Sequence, residues 1–150
     1  MSERVTVRGE LSFAVRPGCH APVLERLLDD ARQAGLRACD PGDLQLVVEE
    51  VLTNVVKYSG AADLDLPARV WWRMSASELE LRFEDPGVPF DPLGEDESEL
   101  DDDDRCEGRM GILLIRALAD TIRYSREHDK NCLALSFRAE ERQHWRELET

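Results

Sequence analysis

Glu50 and Asn54 stand four residues apart in the run Val47-Val48-Glu49-Glu50-Val51-Leu52-Thr53-Asn54-Val55-Val56-Lys57-Tyr58-Ser59-Gly60. A carboxylate can take a proton as a general base. A carboxamide oxygen is a hard, neutral ligand suited to Mg2+. On a helix, residues four apart lie one turn above the other on the same side. Leu44, Val47, Val48, Val51, Leu52 and Val55 signal that helix, with one apolar stripe at helical spacing. At about 100° per residue, Glu50 and Asn54 fall on the flank of the stripe. There they would meet a ligand lodged between helix and sheet. The alternative is a pair of surface residues whose spacing is chance.

Two more stretches could carry chemistry. Phe83-Glu84-Asp85-Pro86-Gly87-Val88-Pro89-Phe90-Asp91-Pro92 follows a predicted strand directly. Asp85 at a strand end can accept a hydrogen bond from an exocyclic amine such as that of adenine. Gly87 leaves room for a flat ring against the backbone. The same Asp-Pro-Gly is also an ordinary turn sequence. Glu107-Gly108-Arg109-Met110-Gly111-Ile112 opens an apolar helix. Glycines at a helix start let backbone N–H groups approach phosphates, aided by the helix dipole. A flexible loop end is the alternative there.

The elements that must position these residues follow from patterning. Arg8–Val15 alternates as a first strand, and Pro17-Gly18 breaks it. Ala21–Ala34 has helical spacing and ends at Gly35. Asp40-Pro41, with Asp43 in the first turn, predicts the cap of the Glu50 helix, which stops near Ser59-Gly60. Arg69–Met74 and Glu78–Phe83 are strands joined by Ser75-Ala76-Ser77. Gly111–Ala119 is apolar nearly all round, which predicts a buried helix. Thr121–Arg126 and Cys132–Phe137 form a hairpin around His128-Asp129-Lys130-Asn131, and Glu140–Leu148 predicts a closing helix. Strands bunched between helices predict an α+β domain, one sheet covered by helices on one face.

The 150 residues suit one domain with a real core, at 42% hydrophobic and 34% charged. No apolar run is long enough to cross a membrane. The N-terminus shows no signal peptide. Cys19, Cys39, Cys106 and Cys132 are scattered and fit reduced cytosolic thiols. His20, His128 and His144 show no zinc-ligand spacing. A net charge of −13 argues against nucleic acid or an anionic membrane as partner. Glu95–Asp104 supplies eight of the acids and no base, a solvated loop or a lid. No P-loop follows any strand, and no serine sits in a nucleophile elbow.

Taken in order, Glu50-x-x-x-Asn54, Asp85-x-Gly87 and Gly108-x-x-Gly111 resemble the N box and two glycine boxes of the Bergerat (GHKL) ATP-binding fold. The Glu-Val-Leu-Thr-Asn form, the Pro-Phe-Asp-Pro tail and Leu-Ile-Arg-Ala-Leu-Ala-Asp are most similar to the anti-sigma-factor serine/threonine kinases. The resemblance covers about residues 10–138. It implies a two-layer α/β sandwich with a mixed, mostly antiparallel sheet, in a single ATP-binding domain. It implies Glu50 as general base and Asn54 as the ligand of Mg2+. Asp85 would bind the adenine amino group, with Gly87 beneath the ring. Gly108, Met110 and Gly111 would line the phosphates, Arg105 and Arg109 would offset charge, and residues 91–107 would form the ATP lid. The implied partners are a small antagonist protein bearing a phosphorylatable serine or threonine, a sigma factor or similar target, and a second copy of the chain in a homodimer. Family members usually carry glycine where this chain has Arg109, and often histidine where it has Tyr58. A protein-binding module without catalysis, or a detached histidine-kinase catalytic domain, are the competing readings. Only some twenty residues precede the first helix, too few for a helix pair bearing a phosphoacceptor histidine.

Overall fold

Burial alternates strictly along Glu78–Asp85, with Leu79, Leu81, Phe83 and Asp85 turned inward and Glu80 and Arg82 outward. That two-residue period is what a strand with one covered face requires. The structure is a computed structural model that describes residues 5–94 and 111–139. Its elements are β1 (Val7–Phe13), α1 (His20–Ala34), α2 (Pro41–Tyr58), β2 (Ala68–Met74), β3 (Glu78–Asp85), α3 (111–118), β4 (Thr121–Glu127) and β5 (Lys130–Arg138). A short 3-10 turn, Ala61–Leu64, follows α2. The five strands form one sheet in the order β1-β2-β3-β5-β4.

The four strand pairings among the described residues are all antiparallel, so the expected mixed, mostly antiparallel sheet is antiparallel throughout them. β3 and β4 do run in the same direction, joined through α3. β5 inserts between them, so no parallel neighbours touch. The helices pack on one face, and Val23, Leu27, Leu44, Val48 and Leu52 meet Val70, Leu81, Leu135 and Phe137 in one core. Trp72 fastens β2 to α1, its indole N–H donating to the buried Asp30 carboxylate at 2.7 Å.

The start of α2 forms as the sequence expects. Asp40 caps it by accepting from the Asp43 N–H at 2.8 Å, and Pro41 is its first residue. α1 ends at Gly35, whose φ of 66° suits glycine. The β4–β5 turn is tighter than the expected four residues. His128 and Asp129 alone make it, with φ of 52° and 62°, so Lys130 and Asn131 belong to β5. α3 is also not buried all round. Ile112 and Ile115 are buried, while Leu113 and Leu114 are 58% and 44% exposed. The helix lays one face on the core, and residues three apart share that face. The expected closing helix, Glu140–Leu148, lies outside the described residues. Among the described residues no helix is long and apolar enough to cross a membrane.

Candidate functional site

α2, β3, β5 and the start of α3 converge on one small cavity. Asn54 lines it from α2, Asp85 from the end of β3, Asn131 from β5 and Ile112 from α3. Val51, Val55, Phe83 and Leu133 supply apolar walls. Asn54 is 6% exposed and Glu50, one turn earlier, is half-buried. Both are therefore on the flank of the apolar stripe. Among the described residues neither side chain has a hydrogen-bond or ion-pair partner. Glu50 packs directly against the first residue of α3. A Cβ on Gly111 would lie 2.0 Å from Glu50 Oε2, so only glycine leaves room for the carboxylate there.

Asp85 is 6% exposed, and its carboxylate does not stand alone. Oδ1 accepts from the Gly87 N–H at 2.9 Å and from Asn131 Nδ2 at 3.1 Å. Burial pushes the carboxyl above its ordinary value, while Asn131, the Gly87 N–H, the Ser59 hydroxyl and Arg126 pull it down. The Ser59 hydroxyl has one proton, so its bond to Asp85 competes with the one to the Val55 carbonyl at 2.6 Å.

Gly87 makes a close backbone approach to the end of α2. A Cβ there would lie 2.3 Å from the Ser59 carbonyl oxygen. The glycine lets the turn press against the end of α2, where the Val88 N–H donates to Ser59 O at 2.7 Å. The close approach is between the turn and the Ser59 backbone. Tyr58 adds to the same junction, its ring 5.2 Å from that of Phe90.

Three residues of the site escape the sequence reading. Asn131 Nδ2 donates to Asp85 Oδ1 and to the Val88 carbonyl at 2.8 Å. Asn131 Oδ1 accepts from the Phe90 N–H at 3.0 Å and the Tyr124 hydroxyl at 2.6 Å. Arg126 donates to the Gly87 carbonyl at 2.7 Å. The signal was the turn. With His128-Asp129 as a two-residue hairpin, Asn131 shares a face with Leu133, Leu135 and Phe137. A polar residue on an apolar face demands partners.

Arg105, Gly108, Arg109 and Met110 lie outside the described residues, as do Glu95–Asp104 and most of the expected lid. Of its start, Asp91 Oδ1 accepts from the Leu93 N–H at 2.8 Å, closing a local turn.

The cavity measures about 30 Å³. Small-molecule sites run to roughly 300–1,000 Å³, so the cavity in this conformation is too small to hold a purine. Phe90 and Pro92 are the wall residues that stand on a loop and not on sheet or helix. The donor set suits a nucleotide: a buried carboxylate for an amine, apolar walls for a ring, and an unengaged carboxamide and carboxylate beside a helix start. Among the described residues no group of three or more His, Cys, Asp or Glu could hold a metal. A cation here would rest on Asn54 and phosphate oxygens, a normal arrangement for Mg2+. A wider groove of about 420 Å³ lies on the open face of the sheet, beside Trp71, Arg73 and Arg82. Its Arg73 and Arg82 are paired with Glu80 and Glu127, and it offers no comparable set.

No curated protein sequence matches the chain. Among solved structures, the histidine kinase AdeS of Acinetobacter baumannii is similar, at 17% identity and a TM-score of 0.49, over 87% of this chain and 67% of that one. The family profile described as the histidine kinase-like ATPase domain matches residues 13–137. The chain belongs to the histidine kinase-like ATPase domain family.

Proposed function

We propose that the chain is an ATP-dependent serine/threonine protein kinase of the anti-sigma regulator type. It phosphorylates a small antagonist protein and sequesters a sigma factor or similar target when that antagonist is absent. The observation that carries this reading is the Glu50 carboxylate, without a partner among the described residues, packed against Gly111 one turn from Asn54. A general base must be free to take a proton, and Glu50 has no partner among the described residues where α3 begins.

Asp85 accepts from the adenine amine, and Val51, Val55, Phe83 and Leu133 enclose the ring. Asn54 would hold Mg2+, whose charge offsets that of the phosphates. Phosphoryl transfer then needs positioning and one base. Glu50 accepts the proton of the incoming hydroxyl. That oxygen bonds to the terminal phosphorus as the bond to the bridging oxygen breaks, and ADP leaves. The chain acts in the cytoplasm as a homodimer, on proteins and not on nucleic acid or membrane.

Two readings compete: transfer to histidine in trans, and a binding module without catalysis. Titration with a non-hydrolysable ATP analogue, with and without Mg2+, tests the site. Ligand at a hundred times its Kd should add about 2.7 kcal/mol of stability. No change in Tm at millimolar nucleotide would leave the binding module. If a partner is phosphorylated, survival of the phosphate in acid marks serine or threonine, and its loss marks histidine.

A further inference from the structure

Asn131 is a saturated hub. A carboxamide has two donor hydrogens and two acceptor lone pairs, and all four are used. Its orientation is not ambiguous. The Phe90 N–H can only donate and the Val88 carbonyl can only accept, so Oδ1 faces the first and Nδ2 the second. The remaining Nδ2 hydrogen therefore points at Asp85 Oδ1 as a donor. A donor on that oxygen favours the charged form of Asp85. It also fixes the carboxylate plane, together with the Gly87 N–H on the same oxygen.

We propose that Asn131 is the specificity-positioning residue of the site: it locks one oxygen of Asp85 to the 86–90 turn, so that the other is presented to a ligand as an acceptor. The ligand selected is a purine bearing an exocyclic amine. This rests on the nucleotide reading above and adds the residue that enforces it. Tyr124 and the turn take part because the same carboxamide holds them. The β4–β5 hairpin thus sets the base preference of a carboxylate on β3.

The test compares two ligands, ATP and purine riboside triphosphate, which lacks the amine. Wild type should prefer ATP. Asn131→Leu has similar size and no hydrogen bonds. It should weaken ATP by about 10-fold or more while changing the amine-free analogue by under about threefold. Equal losses for both ligands would show a packing role and overturn the proposal, as would unchanged ATP binding. Asn131→Asp is the second variant, in case the first fails to fold. It sets two carboxylates 3.1 Å apart, and protonating one restores a donor. Its ATP affinity should rise on acidification from pH 8 to pH 6, where that of wild type is flat or falls. The same direction in both proteins would sink the idea. Carboxyl NMR of Asp85 without any nucleotide separates this proposal from the nucleotide reading. Its titration should move upward in Asn131→Leu even if wild type binds neither ligand; no movement would overturn the role assigned to Asn131.

Discussion

At the β3 end of the site, Asp85 is buried among donors, and the turn that follows it is tied down at Gly87, Val88 and Phe90. At the α2 end, Asn54 lines the same cleft and Glu50, one turn earlier, packs against Gly111, neither with a partner among the described residues. Both ends hold a carboxylate and a carboxamide, one beside the other. At the β3 end the pair is spent on itself and on the backbone, apart from one carboxylate oxygen of Asp85. At the α2 end it is left available. A buried polar network that is fully satisfied rigidifies its surroundings and defines one geometry, which suits recognition. A base and a metal ligand must keep their lone pairs for substrate. On the proposed reading, the same residue types serve fixed recognition in one place and chemistry in the other, and the neighbours decide which.

Substitution of Glu50 tests the open end, and its effect should be the largest. Glu50→Gln keeps the size and the packing against Gly111 but removes the base. Phosphoryl transfer should fall by about 10²–10⁴-fold with nucleotide affinity unchanged. Transfer at the wild-type rate would assign the proton to another group, with Glu49 the next to test.

Asp85→Asn tests the tied end. The amide can still accept from the Gly87 N–H and Asn131 through its oxygen, so the fold-side bonds survive. Its nitrogen then meets the ligand amine as a second donor. ATP affinity should fall by about 10- to 100-fold, as expected for a bond to a charged acceptor worth about 1.5–3 kcal/mol. The pH dependence has a definite sign. Burial raises the Asp85 carboxyl above 3.8 in the folded chain. Its contribution to stability is therefore fully present below the unfolded value and is lost as pH rises through the raised folded value. Nucleotide affinity runs the other way, falling as pH drops through that same value. In Asp85→Asn both dependences should disappear, and Tm at neutral pH should not drop. A lower Tm in the variant would mean that the ionised carboxylate holds the fold and does not merely wait for a ligand.

The two glycines separate the ends a second time. An added Cβ at Gly87 meets the Ser59 carbonyl, which is backbone, while one at Gly111 meets the end of the Glu50 side chain. Backbone cannot yield cheaply, so Gly87→Ala should cost about 1–3 kcal/mol of stability. Gly111→Ala should leave Tm nearly unchanged, because the carboxylate can swing away, yet transfer should slow because the base has moved. Equal stability losses in both would show that Glu50 is as fixed as Ser59, and the contrast between the ends would fail.

What was legible in the sequence follows the same division. Local signals carried α2: Asp40-Pro41 and Asp43 gave its cap, and the stripe from Leu44 to Val55 gave its buried face. With α2 placed, Glu50 and Asn54 followed by spacing. Asp85 followed from its place at the end of the predicted strand Glu78–Phe83. Asn131, Tyr124 and Arg126 did not follow, because they meet Asp85 and Gly87 only once β5 inserts between β3 and β4. That register is tertiary, and the hairpin turn that sets it was read two residues too long. The contact of Gly87 with Ser59 was not legible either, since the two lie 28 residues apart in the chain. The exposed side of α3 was missed because an apolar composition does not say how many faces find a partner.

Arg126 offers the finest test of the tied end, with the smallest effect. Its guanidinium holds the Gly87 carbonyl and lowers the Asp85 carboxyl through charge, the last and least of the causes acting there. The residue is exposed, so solvent and salt screen most of that charge. Arg126→Ala should therefore weaken ATP by only about two- to fivefold. The acid limb of ATP binding should move slightly to higher pH, since Asp85 loses a favourable charge. Arg126→Lys should restore the pH position but not the bond to Gly87, because a point charge replaces the planar fork. High salt should erase the pH difference between wild type and Arg126→Ala while leaving the loss from the missing bond. If salt erases both, Arg126 acts on the site as a surface charge alone, and the tied end is held by Asn131 and the Gly87 N–H without it.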